Sequence, residues 1–191
     1  ETTPVPGVDL TRDECVRPDS TVESLGRLKP VFKQGGTVTA GNASPMNDGS
    51  AALLIASERG LESLGAAPMA RIVSRATSGV DPHLYGIGPV EAAKTALRRA
   101  GLTWADIDQV ELNEAFAAQS LACLRHWPDL DPAKVNPFGG AIAIGHALGG
   151  SGVRICTTLV HSLRRTGGRY GLAAMCIGVG QGIAMVVEHL A

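Results

Sequence analysis

Residues 151–190 read SGVRICTTLVHSLRRTGGRYGLAAMCIGVGQGIAMVVEHL, and this stretch decides the fold class. Its first half predicts a helix that ends at the paired glycines. Apolar residues recur there at helical spacing, at Val153, Cys156, Val160 and Leu163. Its second half predicts two strands, RYGLAAMC and GIAMVVEHL, around a glycine-rich turn at 177–181. A helix that leads into paired strands is typical of an α/β protein.

The same patterns continue upstream of residue 151. Further strands are predicted at SAALLIAS, MARIVSRAT and QVEL, which are residues 50–57, 69–77 and 109–112. Further helices are predicted at ERGLESLGA, PVEAAKTALRRA and EAFAAQSLACLRHW, which are residues 58–66, 89–100 and 114–127. Residues 1–36 are polar and irregular, and we expect them to pack on other parts of the protein rather than form a core.

Composition excludes several kinds of function. The 191 residues are 45% hydrophobic with a formal net charge of -1, which allows one or two domains and gives no electrostatic basis for binding nucleic acid. The four cysteines form no CxxC pair, so we expect reduced thiols, a cytoplasmic location and no metal site. We expect neither a membrane span nor a signal segment. The chain opens at Glu1, as a fragment, a processed product or a tag-cleaved chain would.

Three residues of catalytic type stand at the ends of predicted elements. Asn113 follows the strand QVEL, His146 lies in a glycine-rich loop before the helix that begins near Gly150, and Cys176 closes a strand. Functional side chains in α/β proteins gather at strand ends, where loops hold them free of the core. We therefore expect Asn113, His146 and Cys176 to meet in one cleft.

This set of residues is suited to nucleophilic or acid–base chemistry. A helix N-terminus after His146 favours a neutral ring, and a neutral imidazole near a thiol makes a nucleophile or a base. The amides around Gly178 and Gly180 can donate to a developing oxyanion. Each residue alone also has an ordinary structural interpretation: a loop histidine with satisfied hydrogen bonds, a buried thiol, a capping asparagine.

A dinucleotide-binding loop is a rival interpretation of the glycines. Residues 178–182 follow a strand, but an aliphatic strand comes next instead of the helix whose N-terminus would bind a pyrophosphate. Residues 145–152 precede a helix but lack a GxGxxG spacing after a strand. The glycine patterns therefore do not support a Rossmann site.

Four motifs together resemble the thiolase family. They are GTVTAGNASPMNDGSAAL, NEAFAAQ, GGAIAIGHALGGSG and CIGVGQG, at residues 36–53, 113–119, 139–152 and 176–182. Their order and spread over about 150 residues make the resemblance specific, and the degradative branch, especially the β-ketoadipyl-CoA thiolases, is the most similar.

The resemblance implies a role for each matching residue. His146 would be the base that activates a nucleophilic cysteine and helps to form an oxyanion hole, and Cys176 would be the acid–base cysteine. Asn113 would hold a water in that hole, and the Gly178 amide would donate in a second one. Ser44 and Ala40 resemble contacts to coenzyme A. The residues that would line the acyl pocket are Phe32, Tyr85, Ala115 and Phe116.

The reaction implied is thiolytic cleavage of a 3-oxoacyl-CoA, or the reverse Claisen condensation, through an acyl-enzyme. Coenzyme A and acyl-CoA would be substrates, and neither a metal nor a tightly bound cofactor would be needed. The alternative is a thiolase-like subunit without catalysis that binds an acyl-CoA or a partner enzyme. A redox or metal protein built on Cys176 and His146 lacks any ligand spacing to support it.

The resemblance also implies a missing part. Thiolases carry the nucleophilic cysteine in an N-terminal half, and no residue here matches it, since Cys15 lies in the irregular first segment. We expect residues 1–36 to be the tail of a loop domain, 37–67 a return segment of the N-terminal domain, and 68–191 the C-terminal domain. This thiolase-like mixed sheet would pack on the N-terminal half, in the same or another chain, as an αβαβα layered core. A dimer or tetramer would be expected.

Two positions depart from the family pattern. Ala147 stands where a proline usually follows the histidine, which removes a rigid backbone constraint. Pro45 stands where a glycine usually follows the serine that contacts coenzyme A.

Overall fold

Four strands form one mixed sheet in the computed structural model, which describes residues 5–9 and 12–190. The strands are β1 (Ala70–Gly79), β2 (Gln109–Leu112), β3 (Tyr170–Ile177) and β4 (Gln181–His189), in the order β1-β4-β3-β2. β4 pairs antiparallel with both β1 and β3, whereas β2 pairs parallel with β3. The sheet confirms the α/β fold class and the strands predicted at 69–77, 109–112 and 169–190.

Six α-helices accompany the sheet in the described residues. They are α1 (Val22–Gly26), α2 (Glu58–Leu64), α3 (Gly88–Ala100), α4 (Ala117–Arg125), α5 (Ala141–Ile144) and α6 (Ser151–Thr166). α3 begins with Pro89 in its first turn and ends at Gly101, whose φ of 69° is the left-handed cap that glycine adopts without strain. α2 ends in the same way at Gly65.

The sheet lies between two helical layers. Side chains alternate along β3, so that Leu172 and Ala174 join the core under α3 and α4, while Ala173 joins the core under α6. In the described part of the chain, no residue before Ala76 is buried. This agrees with the expectation that the first segment cannot form a core by itself.

α3 and β4 approach each other so closely that two glycines are required. A Cβ added at Gly182 would lie 2.1 Å from the backbone carbon of Gly88, and one added at Gly88 would lie 2.5 Å from the Gln181 carbonyl oxygen. The Ser78 hydroxyl donates to the Gly88 oxygen at 2.6 Å and holds β1 at the same place. The start of α3 is therefore packed directly on the strand that follows the Cys176 turn.

Three local predictions were wrong. Residues 50–57 form no strand, and Leu54 and Ile55 are 82% and 72% exposed, because no neighbouring strand offers them backbone hydrogen bonds. α4 begins three residues later than predicted, since Phe116 is extended and bridges Ala43. The buried face of α6 carries Ile155, Leu159 and Leu163. The prediction places Val153, Cys156 and Val160 on that face together with Leu163. Both sets have helical spacing, and only packing on the sheet selects one of them.

Candidate active site

Asn113 extends the strand ladder one residue beyond β2. Its N–H donates to the Ala174 carbonyl oxygen at 2.9 Å, and the residue is fully buried. This bond places Asn113 beside β3, the strand that carries Cys176 two residues further on. Its amide nitrogen lies 3.4 Å from Nε2 of His146. The structure thus brings together Asn113 and His146, two of the three residues expected to meet.

His146 is held by its backbone and by both ring nitrogens. The backbone N–H donates to the Pro45 carbonyl oxygen at 2.9 Å, within a short parallel bridge to Met46. Nδ1 lies 2.6 Å from Oγ of Ser151, and Nε2 faces the Asn113 amide. The Asn113 amide nitrogen is a donor, so this pair of contacts favours an Nε2 lone pair that accepts and an Nδ1–H that donates to Ser151.

The surroundings of His146 favour the neutral ring. Burial lowers the pKa of His146 below its usual value, and the positive charge of Arg154 lowers it further. A neutral imidazole with an open Nε2 lone pair is able to take a proton near pH 7. The ring therefore has the form that a general base needs.

Cys176 lies at the end of β3, opposite Gly182 of β4. It is 8% exposed, and burial raises the pKa of its thiol, so the thiol is protonated near neutral pH. The turn that follows contains Val179 at φ 60°, a left-handed conformation that strains a β-branched residue. Gly178, between Cys176 and Val179, is exposed and leaves its backbone open to an approaching group.

Tyr85 and Cys123 are electrostatic neighbours of Cys176. Burial raises the pKa of the Tyr85 hydroxyl, and the charge of a Cys176 thiolate would raise it further. The Cys123 thiol donates to the Gly86 carbonyl oxygen at 3.4 Å and has its pKa raised to about 11 by burial. The turn Pro82–Ile87 is thereby fixed against α4, with Tyr85 near the Cys176 thiol.

Four of the residues expected to contact coenzyme A or the acyl chain, Phe32, Ser44, Ala115 and Phe116, form a second cluster. Both the N–H and the hydroxyl of Ser44 donate to the Ala115 carbonyl oxygen, at 3.1 Å and 3.2 Å. The rings of Phe32 and Phe116 meet edge to face with centroids 5.8 Å apart. Ala40 is exposed, three residues before Ala43 in the chain.

One segment links this cluster to His146. Ala43 bridges Phe116, and Met46 bridges His146, so residues 43–46 run from the aromatic pair to the ring. Gly145 adopts φ 91°, and a Cβ there would lie 2.2 Å from the Asn47 side chain. The segment around residues 43–49 is therefore packed tightly on the loop that carries His146.

Sequence reasoning missed three supporting residues. Ser151 holds the His146 ring, as described above. Asn136 has φ 47°. Its side-chain oxygen accepts from the Leu112 N–H and its side-chain nitrogen donates to the Leu112 oxygen, which are the two bonds that a paired strand would make. Its amide also donates to Glu114, whose other oxygen accepts from the Ile142 N–H at 3.1 Å. Glu114 and Ser151 stood inside quoted motifs and Asn136 lay just before one, but nothing in the sequence paired these residues with their partners.

Neither a metal centre nor a membrane helix is found in the described residues. Over 5–9 and 12–190, no three His, Cys, Asp or Glu side chains are grouped to hold a metal ion. No helix in the same ranges has the length and apolar character to cross a bilayer.

Family profiles match most of the chain. The profile described as thiolase, C-terminal domain, matches residues 66–189, and the profile described as thiolase, N-terminal domain, matches residues 5–59. The chain belongs to the thiolase family. The N-terminal-domain match therefore precedes a C-terminal-domain match that includes Asn113, His146 and Cys176.

Curated thiolases are similar over almost the whole chain. The 3-oxoadipyl-CoA/3-oxo-5,6-dehydrosuberyl-CoA thiolase of Escherichia coli K12 is 54% identical over 184 residues, which are 95% of this chain and 46% of that protein. The human mitochondrial 3-ketoacyl-CoA thiolase is 55% identical over 179 residues, 94% of this chain and 45% of that protein. The chain thus spans about half the length of the curated relatives it matches.

Solved thiolase structures share the fold. Human mitochondrial 3-ketoacyl-CoA thiolase in complex with CoA has a TM-score of 0.87 at 53% identity, over 93% of this chain and 45% of that chain. The Bacillus anthracis acetyl-CoA acetyltransferase has a TM-score of 0.90 at 46% identity, over 94% of this chain and 45% of that chain. The thiolase-like fold is therefore established for this chain.

Proposed function

We propose that this chain supplies the acid–base half of a thiolase, an acyltransferase that cleaves a 3-oxoacyl-CoA with coenzyme A or runs the reverse condensation. One observation carries the proposal: Ser151 holds Nδ1 of His146, and Nε2 faces Asn113, which is paired with the strand that bears Cys176. The family membership and the relatives' names support the same reaction.

The first half-reaction would begin at His146. Its Nε2 takes the proton of a nucleophilic cysteine, which the polypeptide matching the rest of the relatives' length would supply. The thiolate attacks the C3 carbonyl of the substrate, and the bond between C2 and C3 breaks to leave an acyl-enzyme and an acetyl-CoA enolate. The protonated thiol of Cys176 then donates its proton to C2.

The second half-reaction would reverse these roles. The Cys176 thiolate takes the proton of an incoming coenzyme A thiol, whose sulfur attacks the acyl-enzyme carbonyl. The bond between the acyl group and the nucleophilic cysteine breaks, and the released thiolate takes back the proton that His146 holds. An imidazole N–H of His146, with a water held by Asn113, would stabilise one oxyanion, and the Gly178 N–H would stabilise the other. The exposed Gly178 and the fixed Asn113 fit these roles.

The substrate is proposed from the second cluster and the relatives. Coenzyme A would lie along the segment that contains Ser44 and Ala40, and a solved relative binds CoA. The acyl chain would lie among Phe32, Tyr85, Ala115 and Phe116. A 3-oxoadipyl thioester is one substrate option, since the E. coli relative is named for it, and a straight-chain 3-oxoacyl-CoA is the other.

The partner is proposed from the chain's coverage of its relatives. The chain matches 46% of the E. coli thiolase, so the complement would be an N-terminal half of similar size, in the same or another polypeptide. The division of the chain into segments 1–36, 37–67 and 68–191 remains a prediction. A dimeric or tetrameric assembly also remains a prediction. A cytoplasmic location also stays a prediction, because relatives include mitochondrial enzymes.

A reconstitution experiment tests the function. The chain is produced together with its complementary half, and the assembled protein is supplied with coenzyme A and either 3-oxoadipyl-CoA or a straight-chain 3-oxoacyl-CoA. Chromatography of the CoA esters should show acetyl-CoA and the shortened acyl-CoA in equal amounts. Binding of acyl-CoA without any products would contradict the proposal and favour the non-catalytic binding subunit.

A further inference from the structure

Arg154 places a buried positive charge close to the candidate active site. Its Nη1 lies 4.0 Å from Oε2 of Glu111, whose side chain is only 2% exposed. The three guanidinium nitrogens are buried, and in the described residues none of them makes a hydrogen bond. Removing a guanidinium from water is costly, and such a group is a poor choice for packing alone. Its position in the fold suggests a role.

The ion pair joins the two elements that hold the His146 ring. Arg154 lies on α6 one turn after Ser151, which contacts Nδ1, and Glu111 lies on β2 two residues before Asn113, which contacts Nε2. We propose that Arg154 is a positioning residue for His146, acting through its ion pair with Glu111 to hold α6 against β2. This inference rests on the proposed function, in which His146 is the base.

The charge of Arg154 acts on the same ring. Charged or titratable groups near the ring's supports include Arg154 and Cys156 on α6, Glu111 on β2, Glu114 after β2, Cys176 on β3 and Asp48 in the segment 43–49; α6 also carries His161, Arg164 and Arg165 further along, and β3 begins with Tyr170. Among them, Arg154 is the charge that lowers the pKa of His146, after burial. Glu114 is engaged by Asn136 and by the Ile142 N–H. Loss of the guanidinium would therefore leave the His146 ring less firmly held and would also raise its pKa.

Three variants of the assembled enzyme separate positioning from simple packing. Arg154→Met keeps an unbranched side chain without the charge, Arg154→Lys keeps the charge, and Glu111→Gln keeps the shape of the partner. The protonation of His146 is followed by exchange of its C2 hydrogen, measured by mass spectrometry against pH, together with kcat/KM. The other histidines serve as internal references: His83, His126, His161 and His189.

The expected results differ in direction between the variants. Arg154→Met should raise the pKa of His146 toward its ordinary value and lower kcat/KM roughly tenfold or more, because small misplacement of a catalytic group is costly. Glu111→Gln should lower the pKa of His146, since the neighbouring positive charge then lacks its counter-charge. Arg154→Lys should keep the His146 titration near that of the unchanged enzyme and recover part of the activity.

Two results would overturn the inference. One is a His146 titration in Arg154→Met that superimposes on that of the unchanged enzyme, with the reference histidines also unmoved. The other is equal loss of activity in Arg154→Lys and Arg154→Met, which would indicate packing only. If Arg154→Met fails to assemble, the His146 titrations of Arg154→Lys and Glu111→Gln still test the inference. An unchanged enzyme without thiolase activity would remove the proposed function, while the His146 titration would still test the positioning.

Discussion

The Nδ1 atom of His146 lies 2.6 Å from the hydroxyl oxygen of Ser151, the first residue of α6. Together with the donor amide of Asn113 at Nε2, this contact favours a proton on Nδ1 and orients the ring. A loop histidine surrounded by small residues would otherwise rotate freely. The base proposed here is thus set by a hydroxyl that is five residues away in sequence and buried at the start of a helix.

Ser151→Ala should weaken catalysis more than substrate binding. Without the hydroxyl, the Nδ1–H loses its acceptor, and a lost hydrogen bond of about 1–1.5 kcal/mol corresponds to a fall in kcat of roughly tenfold. Steady-state kinetics of the assembled enzyme checks this. Ser120→Ala is the control, because its hydroxyl contacts only the neighbouring Gln119 among the hydrogen bonds found. A similar fall in both variants would contradict the prediction.

Cys176→Ala should abolish turnover. The nucleophilic cysteine of the complementary half should still become acylated, because His146 is unchanged. The thiol is the proposed proton donor and acceptor at C2 and at coenzyme A, and loss of such a group costs roughly 100-fold to 10,000-fold in rate. Thiolysis is measured with the reconstituted enzyme. Cys156→Ala is the matched control, since burial also raises the pKa of that thiol on α6 and the proposed reaction gives it no role. Full activity of Cys176→Ala would remove the assignment.

The His146 shift predicts a pH window for activity. Its folded pKa lies below the ordinary value because burial and Arg154 disfavour the charged ring, so the ring stays neutral as pH falls through about 6.5. The acidic limb of kcat/KM against pH should therefore lie below about 6.5. The measurement is made at saturating coenzyme A in the assembled enzyme. A limb above that value would show that the ring is protonated more easily than its surroundings indicate.

Ala147→Pro should stabilise the protein. Ala147 has φ -77°, which proline adopts readily, and His146 before it is extended within a bridge, as a residue before proline prefers. The gain should be about 0.4–1 kcal/mol, because proline restricts the unfolded chain. Urea unfolding of the assembled protein measures it, with Ala143→Pro inside α5 as a destabilising control. A loss of stability in Ala147→Pro would mean that the ring clashes with neighbouring backbone.

Glu188 should make the sheet sensitive to acid. Its carboxylate accepts from Arg169 at 2.8 Å and 2.9 Å and also pairs with Arg71, and these partners lower the pKa of Glu188. A lowered folded pKa means that this stability is present above the unfolded value of about 4.3 and is lost as pH falls through the folded value.

Glu188→Gln tests this pairing between β1, β3 and β4. The melting temperature of the variant should fall relative to the unchanged protein at pH 7, and the difference should shrink as the pH approaches 3. Glu91→Gln is the control, since Glu91 makes an exposed pair with Lys94 on α3 that contributes little. Equal melting temperatures of Glu188→Gln and the unchanged protein at pH 7 would contradict the prediction.

Much of the fold and the central site residues could be predicted from local pattern. The strands β1 to β4 and the helices α2, α3 and α6 follow from aliphatic runs and periodicity, with Gly65 and Gly101 ending α2 and α3. Asn113, His146 and Cys176 were identified because polar residues at element ends are unusual in apolar surroundings. The prediction of a strand at 50–57 was wrong, because strand formation depends on a neighbouring strand and the local sequence does not reveal whether there is one.

The sequence by itself determined the α/β class and the family, and it singled out the candidate site residues, because periodicity, glycine punctuation and short motifs are local properties. Only the tertiary structure decided how those residues are held. Three contacts illustrate this. Ser151 and His146 are 5 residues apart, Asn136 and Leu112 are 24 apart, and Arg154 and Glu111 are 43 apart. Such contacts depend on which strands pair and which helix face meets the sheet, and many different spacings in sequence can satisfy the same distance in space.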